Sequence, residues 1–395
     1  ITIGKAAVTV GPNVLTYTAT GLTNSTACTA TVAAINSVGT GATGTATATP
    51  KAPVTPPTPT PPPTPDDGGN TGNGGNGGEA STGNKTETVQ NADGSTTITV
   101  TNQASGTVTE TTQRKDGSKT VVETKKDGTV TTTDTLKNGV KSTTVSTPDG
   151  TTTATVDLPA GVEIARIALP VEGANAGTVV VLVHADGTRE LIRKSMVKDG
   201  KLLFTLDADA KLEIRDNAKS FPDTQHHWAN QAIAFVTAHE LFSGVTDKKF
   251  DPNRDMNRAM LVTVLYRLEG TPKAGAASFA DVPQDSYYAS AAAWAMENGI
   301  LLGNAKGDLD PDSSITREAM VTLLYRYAKG SPAAEGLGGF NDTGAVSDFA
   351  KEAMSWGVAN GIINGKAGGK LDPKGTATRG EVATMLQRFV EQLVK

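Results

Sequence analysis

Three arginines stand at the same place in three copies of one pattern. Arg258 follows Asn257, Arg317 follows Thr316 and Arg379 follows Thr378. Asn and Thr cap helix starts, because their side-chain oxygen accepts from a free backbone N–H of the first turn. Thr378 with Glu381 has the capping-box spacing. An arginine one residue past such a cap lies where the helix dipole favours an anion. Its planar guanidinium can take a carboxylate in a two-pronged pair. Each copy also carries an acid, Asp223, Asp281 or Asp342, that could pair with the arginine instead. Each further brings an aromatic, Trp228, Tyr287 or Phe349, suited either to stacking on a ligand or to core packing.

The elements that must position these groups can be read around them. The copies begin Phe221-Pro-Asp223, Phe279-Ala-Asp281 and Phe340-Asn-Asp342, and continue to Phe250-Asp-Pro252, Leu309-Asp-Pro311 and Leu371-Asp-Pro373. Each predicts helix, loop, helix. The first helix is expected to end near Gly244, Gly303 or Gly365, where glycine can take the left-handed cap conformation, and the apolar-Asp-Pro turn makes the loop. Apolar residues fall at +3, +6, +7 and +10 from each arginine: Leu261, Val264, Leu265 and Leu268; Met320, Leu323, Leu324 and Tyr327; Val382, Met385, Leu386 and Phe389. That is one helical stripe, and three stripes from units too small to fold alone should meet in a shared core. Phe235, Trp294 and Trp356, seven residues beyond the first aromatics, are expected in that core.

Upstream the composition changes. The chain has 395 residues with 43 Gly and 20 Pro. Of its aromatics only Tyr17 and Phe204 precede Phe221, so a large core is expected only in the C-terminal part. Residues 85–157 carry turn dipeptides at Asp93-Gly94, Ser105-Gly106, Asp116-Gly117, Asp127-Gly128, Asn138-Gly139 and Asp149-Gly150, with Thr/Val runs between them. Asp-Gly and Asn-Gly supply the positive φ of tight hairpins, which predicts an antiparallel meander with Thr faces, suited to a stalk. Residues 158–216 are more apolar and predict a small β domain. Residues 51–84 are linker: a stiff Pro/Thr run, then a flexible Gly/Asn run.

The expected fold class is therefore multidomain, with N-terminal all-β segments and a C-terminal all-α bundle. Its segments are 1–50, 51–84, 85–157, 158–216 and three helical modules at 217–272, 273–332 and 333–395.

Other signals are weighed and set aside. Gly39-Thr-Gly41-Ala-Thr-Gly44 fits the dinucleotide fingerprint, but a Thr/Ala strand and proline follow it instead of a helix, so it is expected to be a turn. Asp308-x-Asp310-x-Asp312 starts like a calcium loop but has Ser313 at the glycine position and Ala319 at the glutamate position. Adjacent His226 and His227 point apart on a helix and make no metal pair. With one cysteine, Cys28, and no nucleophile–His–acid set, no catalytic site, metal or cofactor is expected. Net charge is −5, with no basic patch for nucleic acid. No apolar run approaches the ~18 residues of a membrane span. The chain begins at Ile1 and shows neither a signal peptide nor a sorting tail, so it is expected to be a fragment or a mature product.

The threefold pattern over 221–391 resembles the S-layer homology domain. The family's Thr-Arg-Ala-Glu signature stands here as Asn257-Arg258-Ala-Met260, Thr316-Arg317-Glu318-Ala319 and Thr378-Arg379-Gly-Glu381. The resemblance implies a three-pronged helical fold with grooves between modules that bind secondary cell-wall polysaccharide, often pyruvylated, on Gram-positive-type envelopes. Arg258, Arg317 and Arg379 would then hold a ligand carboxylate, and Trp228, Tyr287 and Phe349 would stack on a sugar face, with Asp223, Asp281 and Asp342 beside them. Residues 17–24 and 31–41 resemble the last strands of a fibronectin type III domain, with Cys28 where that family has a buried tyrosine. Three readings follow: a surface-anchored structural protein, the anchor of an extracellular enzyme such as a glycoside hydrolase with its catalytic domain upstream, and a self-assembling lattice protein. All three imply an extracellular, wall-bound location.

Overall fold

A computed structural model describes residues 2–3, 6–7, 28–36, 39–48, 83–276, 279–333 and 336–395. The chain divides into two units, Ile1–Gly78 and Glu79–Lys395. In the first, β1 (Thr2–Ile3), β2 (Ala6–Ala7), β3 (Cys28–Asn36) and β4 (Gly39–Ala48) form an antiparallel sheet in the order β2-β1-β3-β4. The Gly39–Gly44 fingerprint, expected as a turn, is the first half of β4. It pairs with β3, Asn36 opposite Gly39 and Val32 opposite Gly44, so its Thr/Ala alternation decides its structure rather than its glycines. Residues 17–24 of the fibronectin-like stretch and 51–82 of the expected linker lie outside the described residues. The linker boundary moves, because Asn84 already opens a strand.

The second unit starts with a meander: β5 (Asn84–Gln90), β6 (Thr96–Asn102), β7 (Val108–Gln113), β8 (Lys119–Thr124), β9 (Val130–Thr135), β10 (Lys141–Ser146) and β11 (Thr152–Asp157). Each strand pairs antiparallel with the next. The turns differ from expectation. Asn91 N–H donates to Ser95 O and Gly94 N–H to Asn91 O, at 2.8 and 2.9 Å, so only Gly94 enters the left-handed region, with φ 78°. The Asp before it keeps negative φ, and its carboxylate accepts from Ser95 N–H at 2.9 Å. This is a type I turn closed by a glycine bulge, a geometry that also suits right-twisted strands. The two-residue turn with both φ positive occurs once among the described hairpins, at Asp199 (50°) and Gly200 (72°).

Residues 158–216 extend the same sheet. They form β12 (Ala165–Pro170), β13 (Thr178–Val183), β14 (Arg189–Leu191), β15 (Ser195–Lys198), β16 (Lys201–Leu206) and β17 (Ala210–Asp216). Strand β17 pairs with β11, and β13 and β14 follow, giving a ten-stranded sheet that ends in β5 at its far edge. A second sheet, β12-β16-β15, covers one end of the first. Val156, Leu169, Leu202, Phe204 and Leu212 are buried between them. The core fades along the meander: β5 is exposed at all seven residues.

The C-terminal region is helical, with two helices per module: α1 (Asn230–Ala238) and α2 (Arg258–Leu268), α3 (Ala289–Glu297) and α4 (Arg317–Tyr327), α5 (Lys351–Ala359) and α6 (Arg379–Val394). The stripes lie in one shared core, where Leu261, Leu265, Met320, Leu324, Val382 and Leu386 are fully buried. The first helices end earlier than expected. Glu240 (φ 58°), Gly299 (67°) and Gly361 (65°) take the left-handed position, and the next residue's N–H reaches back five residues, as from Leu241 to Val236 O at 2.9 Å. Gly244, Gly303 and Gly365 serve another purpose: an added Cβ at Gly365 would stand 2.6 Å from a ring carbon of Phe340.

An all-α label is too simple for the centre of this bundle. Met256 N–H donates to Ala377 O, Ala377 N–H to Ile315 O and Ile315 N–H to Met256 O, at 3.0, 2.9 and 2.8 Å. This closed ring of backbone bonds, with short β-bridges around it, joins the three modules about a pseudo-threefold axis. The helical body also meets the β body: Met196 belongs to the helical core and Leu203 packs on it. Lys194 pairs with Glu269 at 2.8 Å, and Lys198 with Glu391. No helix among the described residues is long and apolar enough to cross a membrane.

Candidate ligand grooves between the modules

Each module's second helix starts on its neighbour's loop. Asn257, Thr316 and Thr378 cap as expected, accepting from Met260, Ala319 and Glu381 N–H, and the Thr378–Glu381 capping box is complete. The first two helical N–H groups are spent elsewhere. Arg258 and Ala259 donate to Ser313 and Pro311 carbonyls, Arg317 and Glu318 to Gly375 and Pro373, and Arg379 and Gly380 to Arg254 and Pro252. The helix starts are therefore filled by the apolar-Asp-Pro loop of the next module and are not open anion sites.

The arginine side chains do the same. Arg258 Nε donates to Leu309 O at 2.6 Å, Arg317 Nε to Leu371 O at 2.9 Å and Arg379 Nε to Phe250 O at 2.9 Å. Arg317 Nη2 also reaches Asn364 O at 3.0 Å, and Arg379 Nη2 reaches Ser243 O at 2.8 Å. The pattern runs from module one to two, two to three and three to one, so the bundle closes on itself. The Arg379 guanidinium lies 4.3 Å from the Phe250 ring centre. Burial lowers the pKa of all three, that of Arg379 to about 10. These contacts bury the helix starts: Arg317 and Arg379 are only 4% exposed.

The three aspartates take the other side of the same loops. Asp223 accepts from Phe250 and Asp251 N–H, Asp281 from Leu309 and Asp310 N–H, and Asp342 from Leu371 and Asp372 N–H, at 2.7–3.1 Å. The Leu371 N–H bond holds the Asp342 carboxyl below its usual range. One residue, Phe250, Leu309 or Leu371, is thus held at its N–H by an aspartate of its own module and at its carbonyl by an arginine of the preceding one. The direct arginine–aspartate pair weighed from the sequence does not form, because both partners bind this backbone. The loops need such clamps, since Asp251, Asp310 and Asp372 have φ of 61°, 56° and 52°.

The aromatics separate into two sets. Phe235, Trp294 and Trp356 are in the core as expected. Trp228, Tyr287 and Phe349 are 65, 67 and 59% exposed, so core packing does not account for them. Trp228 lines a groove of about 200 Å³ with Arg317, Lys366, Glu381, Thr384 and Arg388, residues drawn from all three modules. Lys366 Nζ pairs with Asp372 at 2.9 Å and Glu381 at 3.1 Å, and Glu381 lies 3.4 Å from Arg317 Nη1. Tyr287 and Phe349 stand two residues before α3 and α5, as Trp228 does before α1, and α3 packs on α2 and α5 on α4 as α1 packs on α6. The groove thus offers a flat ring beside fixed donors, a combination that binds a ligand with one apolar face and acidic or hydroxyl groups.

Sequence reasoning missed a second arginine set, Arg267, Arg326 and Arg388. Arg267 and Arg326 donate to Leu241 and Ile300 carbonyls at 3.1 and 3.4 Å, and Arg388 lines the Trp228 groove. The signal was available: each lies nine residues beyond the first arginine of its copy. His239 is no ligand but a buried junction residue. Its Nδ1 meets Phe235 O at 2.8 Å and its Nε2 meets Ser195 Oγ at 3.2 Å. Burial lowers its pKa to about 4. Among the described residues no group of His, Cys, Asp and Glu is arranged to hold a metal.

The family model of the S-layer homology domain matches residues 220–259, 278–321 and 339–383. The chain is 31% identical over 198 residues to the exoglucanase XynX of Acetivibrio thermocellus, a stretch covering 49% of this chain and 18% of that protein. It is 31% identical over 179 residues to the amylopullulanase of Thermoanaerobacterium thermosulfurigenes, covering 44% of this chain and 10% of the other. With the S-layer protein of Bacillus thuringiensis subsp. finitimus it shares 28% over 183 residues, covering 44% and 22%. The chain therefore spans between 10 and 22% of the length of these relatives. The family-model matches fall on the three modules whose clamps close the helical bundle: the C-terminal region of this chain is a run of three S-layer homology domains.

Proposed function

We propose that this chain holds its protein on the outside of a bacterial cell by non-covalent binding of secondary cell-wall polysaccharide in the grooves between its three modules. The observation that carries this reading is the set of three large aromatics at matching positions of the three modules, each more than half exposed, one of which, Trp228, lines an inter-module groove. Trp228, Tyr287 and Phe349 give each groove a platform for a sugar face. In the Trp228 groove, Arg317, Lys366 and Arg388 line the same space, which suits a polymer carrying carboxylates such as pyruvate ketals. Arg258, Arg317 and Arg379, with Asp223, Asp281 and Asp342, fix the loops that form the groove walls. Three grooves on one rigid body add avidity from individually weak contacts.

The long β-sheet serves as a stalk, and the N-terminal sheet is the end of a fibronectin-like domain. The chain has no catalytic role of its own in this reading. A second reading is favoured by the relatives, which include an exoglucanase, an amylopullulanase and an endoglucanase: the same anchor and stalk carry an enzyme encoded in the remainder of a longer protein. A surface-held protein of this kind also self-associates in our reading, through an open sheet edge.

The test is sedimentation of the full chain with purified wall sacculi, before and after mild acid removes the secondary polymer. Binding lost with the polymer is expected. Equal binding to stripped sacculi would make peptidoglycan the target.

A further inference from the structure

Strand β5 ends the ten-stranded sheet, and the backbone pattern fixes which of its groups face outward. Asn91 N–H bonds Ser95 O in the turn to β6. Pairs then alternate along an antiparallel ladder, so Val89, Glu87 and Lys85 turn their N–H and C=O toward β6. Gln90, Thr88, Thr86 and Asn84 turn theirs away. Among the described residues no strand pairs with that outer edge. The edge is seven residues long, exposed throughout, and contains no proline and no register shift. Each of the next six strands, β6 to β11, has a partner on both sides.

We infer that β5 pairs antiparallel with β5 of a second copy of this chain, with Thr86 on the two-fold axis. Only residues whose backbone groups face outward can exchange bonds, and the registers that also overlap more than half of the strand are those centred on Thr86, Glu87 and Thr88. A centre at Glu87 sets Glu87 against Glu87, a like-charge contact that disfavours pairing. A centre at Thr88 sets Glu87 against Val89. A centre at Thr86 bonds Thr86 to Thr86 and Asn84 to Thr88 in both directions. It also sets Lys85 of each copy against Glu87 of the other, in the non-bonded pairs where side chains stand closest. Lys85 and Glu87 now pair within one strand at 2.6 Å, both more than half exposed, and can exchange to the partner. The edge is thus self-complementary in charge in one register. A single strand pair buries little area, so the dimer is weak in dilute solution and strengthens where many chains are held side by side.

The test uses the full chain with C28S to remove the native thiol. In T86C the two introduced sulfurs lie across the axis, where Cα atoms of a bonded pair stand ~5.5 Å apart, within disulfide range. The expected result is a covalent dimer from T86C on mild oxidation at high protein concentration, at least tenfold more than from T88C. E87K in the T86C background should cut the yield, and adding K85E to it should restore the yield. Equal yields from T86C and T88C, or no rescue by the double charge swap, would overturn the inference. Dimerisation reports on β5 and not on polymer, so failure of one claim leaves the other standing.

Discussion

At the scale of the residue, the arginine and aspartate of each copy act together on one peptide unit. Removing Arg379 takes away two charge-assisted bonds, one to the buried carbonyl of Phe250 and one to the part-buried carbonyl of Ser243. Each such bond is worth about 1.5–3 kcal/mol, so Arg379→Ala should lower the melting temperature and lose about 3 kcal/mol of stability or more. Arg379→Lys should recover only part, because an ammonium cannot span both carbonyls. Thermal denaturation checks this; an unshifted melting temperature would mean the clamp carries no stability. Trp228→Ala should behave in the opposite way, weakening polymer binding with the melting temperature unchanged, since its ring is 65% exposed. The caps and stripes were legible in the sequence because they depend on spacing within one helix. The arginines' partners were not. Arg258 and Leu309 lie 51 residues apart, and Arg379 and Phe250 lie 129 apart, and no local pattern states which module closes on which.

At the scale of the element, the loops after the first helices are shaped by close approach to an aromatic ring. Gly365→Ala would place a methyl 2.6 Å from Phe340, and overpacking of this kind costs about 1–3 kcal/mol. Because Asn364 and Lys366 flank it in the groove wall, the substitution should lower both melting temperature and polymer affinity. Combining it with Phe340→Leu, which frees the space, should recover part of both. The glycines themselves were visible in the sequence, but their role was misread: the helix ends four residues earlier, at Gly361 in this copy, and Gly365 is kept small by Phe340. The meander was legible to its turns, since each glycine marked one; the exact turn type was not, because a bulge and a two-residue turn use the same Asp-Gly pair.

At the scale of the whole molecule, the β body and the helical bundle share a junction that composition did not reveal. Met196 lies in the helical core, and Ser195 meets the buried His239. Fragment 217–395 removes that cover, so it should melt below fragment 158–395 while keeping its grooves. His239 also gives the junction a pH dependence. Burial holds it neutral, with a pKa of about 4 against the usual 6.5. The unfolded chain then binds a proton that the folded chain refuses, so stability should fall as pH drops from about 6.5 and this contribution should level off below about 4. Arg193, which also opposes protonation, and its partner Glu240 at 3.3 Å are the charged groups beside it. The variant H239Q should flatten melting temperature against pH in that window.

In the proposed reading the exposed aromatics Trp228, Tyr287 and Phe349 hold wall polysaccharide. The most direct measurement is co-sedimentation of the triple variant W228A/Y287A/F349A with polymer-bearing sacculi, alongside its melting temperature. The expected result is an unchanged melting temperature and binding reduced at least tenfold, on a scale of ~1.4 kcal/mol per factor of ten. Wild-type sedimentation by a folded triple variant would contradict it.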